Sequence, residues 1–419
     1  MTNKIVPSDL RNWTFLWLLA GMIGLIWSPA VLSISMALLL LTGLVNQKFR
    51  RQASLFRSLP AQVGPLLALS IFFWLVLAGF IGLEDTDYWI SRLRIKLPFL
   101  VMPMALLLLP PLTFRQNRLL HLALLLLAVA VCVQIGVGYF RDFTAINIQI
   151  KKGHPIPVPG NHIRLSILLA YSVIAGAHML WSAYPALDRW QRWLLGGGVL
   201  FVFLFMHLLS VRTGLAVLYA GLGTLLVYRV FHYREWRWAI AGLLLLIGLP
   251  VLAYATIPSF RNKINYARYE WQLRQQGQTQ ANYSDSGRLV SWQVGWRIFQ
   301  RHPVWGVGPA NLRMAVQAEY QRTQPEGTPW RMPHNQFLSV AAGSGLTGLL
   351  LFMFGLFYPL ARMSYLQRLD PSLGSLYVVL VLSCLVENTM ETAQGVGICS
   401  LFLGMHLATC PKKAPLPER

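Results

Sequence analysis

Twelve stretches of predominantly apolar residues, most of them near the length of a membrane-crossing helix, recur along this chain. They run at about 13–28, 29–46, 62–82, 96–112, 118–139, 162–181, 193–210, 213–230, 237–257, 335–360, 372–389 and 392–409. A helix needs about 20 largely apolar residues to cross a bilayer. A chain with so many such runs has no way to hide them all inside one soluble core. Composition agrees with this reading. Of 419 residues, 55% are hydrophobic and 12% are charged, where a soluble domain carries about a quarter of its residues as charges. These figures exclude a disordered chain, a disulfide scaffold and an ordinary soluble enzyme. The fold class expected is an all-α polytopic membrane protein with about 12 transmembrane helices. Only Ser28-Pro29 separates the first two spans, and the last two meet at Glu387–Glu391.

The formal net charge is +21. In a soluble domain that would suggest nucleic acid; here it points to topology, and no nucleic-acid partner is expected. An even number of spans puts both termini on one side. Short segments on that side hold 18 Lys and Arg, and short segments on the other side hold 8. By the positive-inside rule the termini are cytoplasmic. Trp190, Trp193, Trp236 and Trp238 sit at the same helix ends, as an aromatic belt requires. Lys4 and Arg11 precede the first apolar run without a clear small-x-small cleavage site. That run reads as a retained first helix and not as a signal peptide. The four cysteines lie in or at the end of apolar runs, with neither disulfide nor zinc spacing.

One segment breaks the pattern of short loops. Residues 258–334 lie between the ninth and tenth spans, on the side away from the termini, and carry ten Lys and Arg against four acids. Loops of this length are usually functional. The chain therefore divides into spans one to nine (1–257), a large, partly helical external loop (258–334), and spans ten to twelve with a short tail (335–419).

Within the loop, Ser286–Arg301 reads as a helix that Asp285 or Ser284 caps and Pro303 stops. At about 100° per residue, Arg288 falls among Trp292, Trp296 and Phe299, while Arg297 and Arg301 occupy the opposite face. One reading is an interfacial amphipathic helix with a snorkelling arginine. The other is a cation held at a dry wall beside free backbone N–H groups, which suits phosphate. The following His302–Asn311 segment reads as a tight glycine turn and nothing more. His334 opens the tenth span, where a helix N-terminus favours a neutral imidazole. Arg212 lies in a turn of about two residues, and Arg164 lies a few residues into the sixth span. Charges at such depths usually face a protein interior; for Arg164, snorkelling weighs equally. Glu387 and Glu391 are spaced i, i+4 and read as a solvated outer turn.

Four motifs then carry a resemblance. Ser-Val-Arg-Thr-Gly at 210–214, Ser-Gly-Arg-x₃-Trp at 286–292, Pro-x-Trp-Gly-Val-Gly-x-x-Asn at 303–311 and His-Asn-x-x-Leu at 334–338 occur in that order. Together they resemble the O-antigen ligase family, a pattern shared with O-antigen polymerases and protein O-oligosaccharyltransferases. The resemblance implies a metal-independent, GT-C-like glycosyltransferase in the bacterial inner membrane, without a cofactor. Its donor would be undecaprenyl-diphosphate-linked O-antigen and its acceptor a lipid A-core sugar, joined on the periplasmic side with inversion. Arg212 and Arg288 would hold the donor diphosphate, with Arg164 carried over on a looser match. His334 would act on the acceptor hydroxyl as base, or else on the diphosphate.

The chemistry fits independently. A diphosphate leaving group needs charge stabilisation more than a protonating acid, and paired arginines provide it. The loop acids Glu270, Asp285, Glu319 and Glu326 are scattered, with no Asp-x-Asp to hold Mg²⁺. A transporter without chemistry predicts inverted repeats with broken helices in matching positions, and the sequence shows no such symmetry.

Overall fold

The computed structural model describes residues 8–45, 60–182, 188–234, 236–276, 284–362 and 371–408. Of the basic residues behind the topology expectation, Lys4, Lys48, Arg50, Arg51, Arg57, Arg368, Lys412, Lys413 and Arg419 lie outside these, as does Cys410.

The described residues are helical with no strand. In chain order the α-helices are α1 (Ser8–Trp27), α2 (Pro29–Val45), α3 (Pro60–Ala68), α4 (Ile71–Leu77), α5 (Thr86–Lys96), α6 (Pro98–Leu108), α7 (Phe114–Arg141), α8 (Phe143–Lys151), α9 (His162–Ser182), α10 (Arg189–Leu209), α11 (Arg212–Tyr233), α12 (Trp236–Thr256), α13 (Pro258–Gln275), α14 (Ser284–Arg301), α15 (Leu312–Thr323), α16 (Gln336–Arg362), α17 (Pro371–Val386) and α18 (Ala393–Ala408). Short 3₁₀ turns follow α4 and α17.

Seven segments are long and apolar enough to cross a membrane, or eight if the bent pair α12–α13 counts as one. The expected twelve is therefore supported only to that extent. The α2, α17 and α18 helices are apolar but shorter. The expected span at 96–112 holds an 11-residue helix, α6. The chain turns by 96° between α12 and α13, where Ile257-Pro258 leaves the apolar run and the polar loop begins.

One helix forms the axis of the bundle. In α9, 78% of the span lies inside the protein, against 33–44% for the other six. Its sequence is apolar on all sides, as a fully enclosed helix requires. It packs on α7, α10, α11 and α17. The α11 contact is close because a Cβ at Gly214 would run into Ser166, and one at Gly221 into Ile174. Small residues on a helix face let two backbones approach in this way.

The large loop folds back onto the start of α16 around a small core of its own. Val294 and Ile298 of α14 pack with Leu312, Val316 and Tyr320 of α15, Tyr88 of α5 and Ala342 of α16. The glycine turn does more than reverse the chain. Val307 donates its N–H to the Ala342 carbonyl at 3.2 Å, and Leu346 donates to the Pro303 carbonyl at 2.8 Å. The second bond is open because α16 is interrupted at Gly345, whose φ is 64° and ψ −165°. That conformation is essentially restricted to glycine. Asn311 completes the clamp, accepting from Glu84 N–H at 2.9 Å and donating to the Gly82 carbonyl at 2.7 Å.

Gly345→Ala introduces a Cβ against the Val304 carbonyl and a strained backbone worth about 1–3 kcal/mol. We expect a lower unfolding midpoint in detergent, whereas Gly248→Ala, at a site with no neighbour within 4 Å, serves as the neutral control. Equal midpoints for the two variants would remove the docking role of Gly345.

Candidate functional site

Three of the four sequence motifs build one site at the loop end of the bundle. The first is the α10–α11 turn. Ser210 takes a left-handed backbone (φ 55°), which ends α10, and its hydroxyl donates to the His207 carbonyl at 2.7 Å. Two residues later Arg212 is the first residue of α11. Gly214 then lets this helix start lie against the start of α9.

The second is α14. The helix begins at Ser284, so Asp285 lies in its first turn and does not cap it from outside. Its packing face also departs from the expected one. Ser286, Gly287, Ser291, Val294, Gly295 and Ile298 are buried, while Trp296 is 52% exposed. The tightly packed face is aliphatic and small, and the aromatic stripe lies beside it. Arg288 sits near the edge between these faces, its side chain 22% exposed and aimed inward at a carboxylate; of the two sequence readings, this agrees with the cation at an interior wall.

The turn that follows Arg288 grips the third motif by its backbone. The Ser291 hydroxyl accepts from the His334 N–H at 3.1 Å, and the Trp292 indole donates to the His334 carbonyl at 2.8 Å. This explains the spacing of Ser-Gly-Arg-x₃-Trp: arginine for the interior, tryptophan to fix the histidine. His334 precedes α16 and is not part of it; the side chain of Asn335 accepts the Leu338 N–H at 3.0 Å and so caps that helix.

These parts meet at Glu387, which sequence reasoning placed in a solvated turn. It is 1% exposed. One oxygen accepts from Arg288 at 2.5 Å. The other meets His334 Nδ1 at 3.0 Å and lies 3.7 Å from Arg164. Burial opposes its ionisation, but the hydrogen bond from His334 and the charges of Arg288 and Arg164 outweigh it and hold the carboxyl below its usual range. Glu391 is not its partner. It pairs with Lys96 at 2.7 Å and accepts from Gln336 at 2.8 Å. The expected shared helical face does not exist, because α17 stops at Val386.

Arg164 does not snorkel. It is 3% exposed and donates to the Asn388 carbonyl at 3.0 Å and the Thr392 hydroxyl at 3.3 Å. It anchors the Glu387–Thr392 turn from behind, and one of its guanidinium nitrogens has no hydrogen-bond partner among the described residues.

Arg212 and Arg288 instead line a cavity of about 180 Å³, together with Lys263, His162, His154 and the Ser210–Thr213 backbone. Asp285 lies between the two arginines, 2.5 Å from Arg212 and 3.9 Å from Arg288. A carboxylate bridging two guanidinium groups marks where an anion is stabilised, and the free N–H groups at the start of α11 add to that field. No local signal marks Lys263, one of ten basic residues in its loop, or His162. Lys263 donates to the Gly153 carbonyl at 2.6 Å. Burial, reinforced by Arg212, pulls its ammonium down to about 8.

Among the described residues, no three His, Cys, Asp or Glu side chains gather as metal ligands. With the imidazole Nδ1–H assigned toward Glu387, His334 Nε2 carries a lone pair. The arrangement can accept one proton at that nitrogen and stabilise two or more negative charges beside it.

Lys263 is cationic below about pH 8 and loses that charge as pH rises through it. Pyrophosphate affinity, measured calorimetrically, should therefore fall from pH 7 to 9 relative to Lys263→Met. The variant should start about tenfold weaker at pH 7, the size of one charge-assisted hydrogen bond. Parallel pH profiles for the two proteins would separate Lys263 from the anion site.

Residues 197–353 match the family model described as O-Antigen ligase. No curated protein matches the chain. The match covers Arg212, Arg288 and His334; Arg164 and Glu387 lie on either side of it. It implies glycan transfer of the O-antigen ligase and polymerase type, with a lipid-linked glycan and a lipid acceptor, in a multi-pass membrane protein. Across the stretch that supplies both cavity arginines and the histidine, this chain is similar to the O-antigen ligase family.

Proposed function

We propose that the protein is an O-antigen ligase of the bacterial inner membrane. It crosses the membrane about twelve times, with cytoplasmic termini and a periplasmic site. It moves a preassembled glycan from undecaprenyl diphosphate to a lipid A-core sugar in a single inverting displacement, without a metal ion. The observation that carries this reading is the contact of one buried carboxylate, Glu387, with both Arg288 and His334. It links His334, the proton acceptor in this reading, to an arginine that lines the cavity.

In this reaction the diphosphate lies in the cavity on Arg212 and Arg288, where it takes over the position of the Asp285 carboxylate. The acceptor hydroxyl gives its proton to His334 Nε2 as its oxygen attacks the anomeric carbon. The bond from that carbon to the diphosphate oxygen breaks, and its electron pair leaves with the diphosphate. Glu387 fixes the imidazole orientation and stabilises the imidazolium that forms, the role a carboxylate plays toward histidine in hydrolytic triads. The two arginines stabilise the charge that develops on the leaving group.

The assay uses purified protein in nanodiscs with lipid-linked glycan and lipid A-core, read as a ladder on a gel. We expect transfer in EDTA, and its loss in well-folded His334→Ala and Arg288→Ala. Normal transfer by either variant, or EDTA inhibition rescued by Mg²⁺, would overturn the mechanism. Extension of the lipid-linked donor instead would move the protein to the polymerases, and labelling of a protein to the O-oligosaccharyltransferases. Glu387→Gln should keep the fold and lower kcat by about 10²–10⁴, as loss of the orienting carboxylate does in triads. A kcat within a few-fold of wild type would leave Glu387 a purely structural residue.

A further inference from the structure

A second cavity lies at the opposite end of the bundle. It encloses about 610 Å³ between α7, α9 and α10. On α9 it touches Met179, 15 residues beyond Arg164 and so about 22 Å along the helix from it. It is therefore separate from the anion cavity.

Its shape follows from how α7 and α10 pack. Toward the loop end the two helices touch, where a Cβ on Gly136 would sit 3.4 Å from the Phe205 ring. Toward the other end the cavity lies between them, and of the α10 glycine run Gly198 lines it, where a Cβ would sit 3.4 Å from Leu125 of α7. The walls between are apolar, formed by leucines of α7 and α10 with Val129 and Met179. Leu126 and Leu194 are 60% and 67% exposed at its rim. The cleft thus opens sideways, toward where lipid chains would lie.

Its mouth is cationic. Arg115 and Arg118 stand in the first two turns of α7, Trp190 in the first turn of α10, and no carboxylate lines the cavity. Both helices begin here, so both present the positive ends of their dipoles. Asp188 is the acid nearest the mouth in sequence; it is the N-cap of α10 and shares a capping box with Gln191. An apolar slot under a pair of arginines at a membrane surface fits one ligand chemistry, an acyl chain joined to a phosphate headgroup. Its volume lies within the usual range for ligand pockets, about 300–1,000 Å³.

We propose that this cleft is a binding site for an anionic phospholipid of the leaflet opposite the anion cavity. The phosphate sits on Arg115 and Arg118, the headgroup rests against Trp190, and an acyl chain fills the space between Leu122, Leu126, Leu194 and Gly198. The proposal rests on the chain spanning a membrane and not on the glycan-transfer reading.

The test is native mass spectrometry of the full chain from detergent, with phosphatidylglycerol or phosphatidylcholine of matched chains, paired with thermal melts. We expect retention of phosphatidylglycerol, and a rise of the unfolding midpoint with that lipid and not with phosphatidylcholine. Arg115→Gln/Arg118→Gln should bind phosphatidylglycerol at least about tenfold more weakly, as loss of two charge-assisted contacts requires. Leu122→Trp should weaken both retention and stabilisation by occupying the slot. Equal binding of the two lipids by the wild-type protein would overturn the proposal whatever the variants do. So would unchanged phosphatidylglycerol binding in the arginine variant, or displacement of that lipid by undecaprenyl phosphate, which would make the cleft a polyprenyl site. Because lipid retention is read without glycan transfer, its failure leaves the transferase reading untouched.

Discussion

The buried carboxylate of Glu387 is where four separate parts of the chain meet. Arg164 comes from the central helix α9, Arg288 from the large loop, His334 from the approach to α16, and Glu387 itself from the turn after α17. Taking any one of these charges out of water alone would be costly, and leaving one unpaired in the interior costs about 3–5 kcal/mol. Together they neutralise one another in part, and the cluster pins the loop onto the bundle. In the proposed reaction the same contacts set the chemistry. The carboxylate that faces Arg164 also takes the Nδ1 side of His334, which in the proposed reaction leaves the Nε2 side for the acceptor. Structural and chemical demands are met by the same four side chains.

Around this hub the motifs divide the labour. The Ser-Val-Arg-Thr-Gly turn sets Arg212 at a helix start and clears room for α9. The Arg288 helix supplies one cation to the cavity and holds both backbone groups of His334 through Ser291 and Trp292. The glycine turn at 303–311 carries no reactive group. Its work is to seat the loop in the break of α16 at Gly345, which fixes the distance between α14 and the histidine. A reactive arrangement needs supports of this kind, because small displacements of the reacting groups cost large factors in rate.

Much of this was legible in the residues. Apolar runs of membrane length reported the helical class, and the polar stretch between them marked the loop. Arg212 and His334 stood out at the ends of apolar spans, and Arg288 because it falls on the aromatic face of its helix. The wheel of α14 was misleading in detail. Trp292 and Trp296 dominate its hydrophobicity, yet the helix packs through Ser291, Val294, Gly295 and Ile298, since close backbone approach favours small and aliphatic residues over large rings. Lys263 and His162 were invisible, because nothing in their local sequence distinguishes them from solvated neighbours.

The sequence by itself determined that this chain is a bundle of apolar helices interrupted by one long basic loop, and it singled out three residues of the candidate site. Those features depend on local quantities: the length of an apolar run, a breaker, a charge at a helix end. Only the tertiary structure decided that Glu387 is buried between Arg164, Arg288 and His334 while Glu391, four residues on, faces Lys96. Whether a carboxylate is solvated or enclosed depends on which helices surround it, and those helices come from positions far apart in the chain.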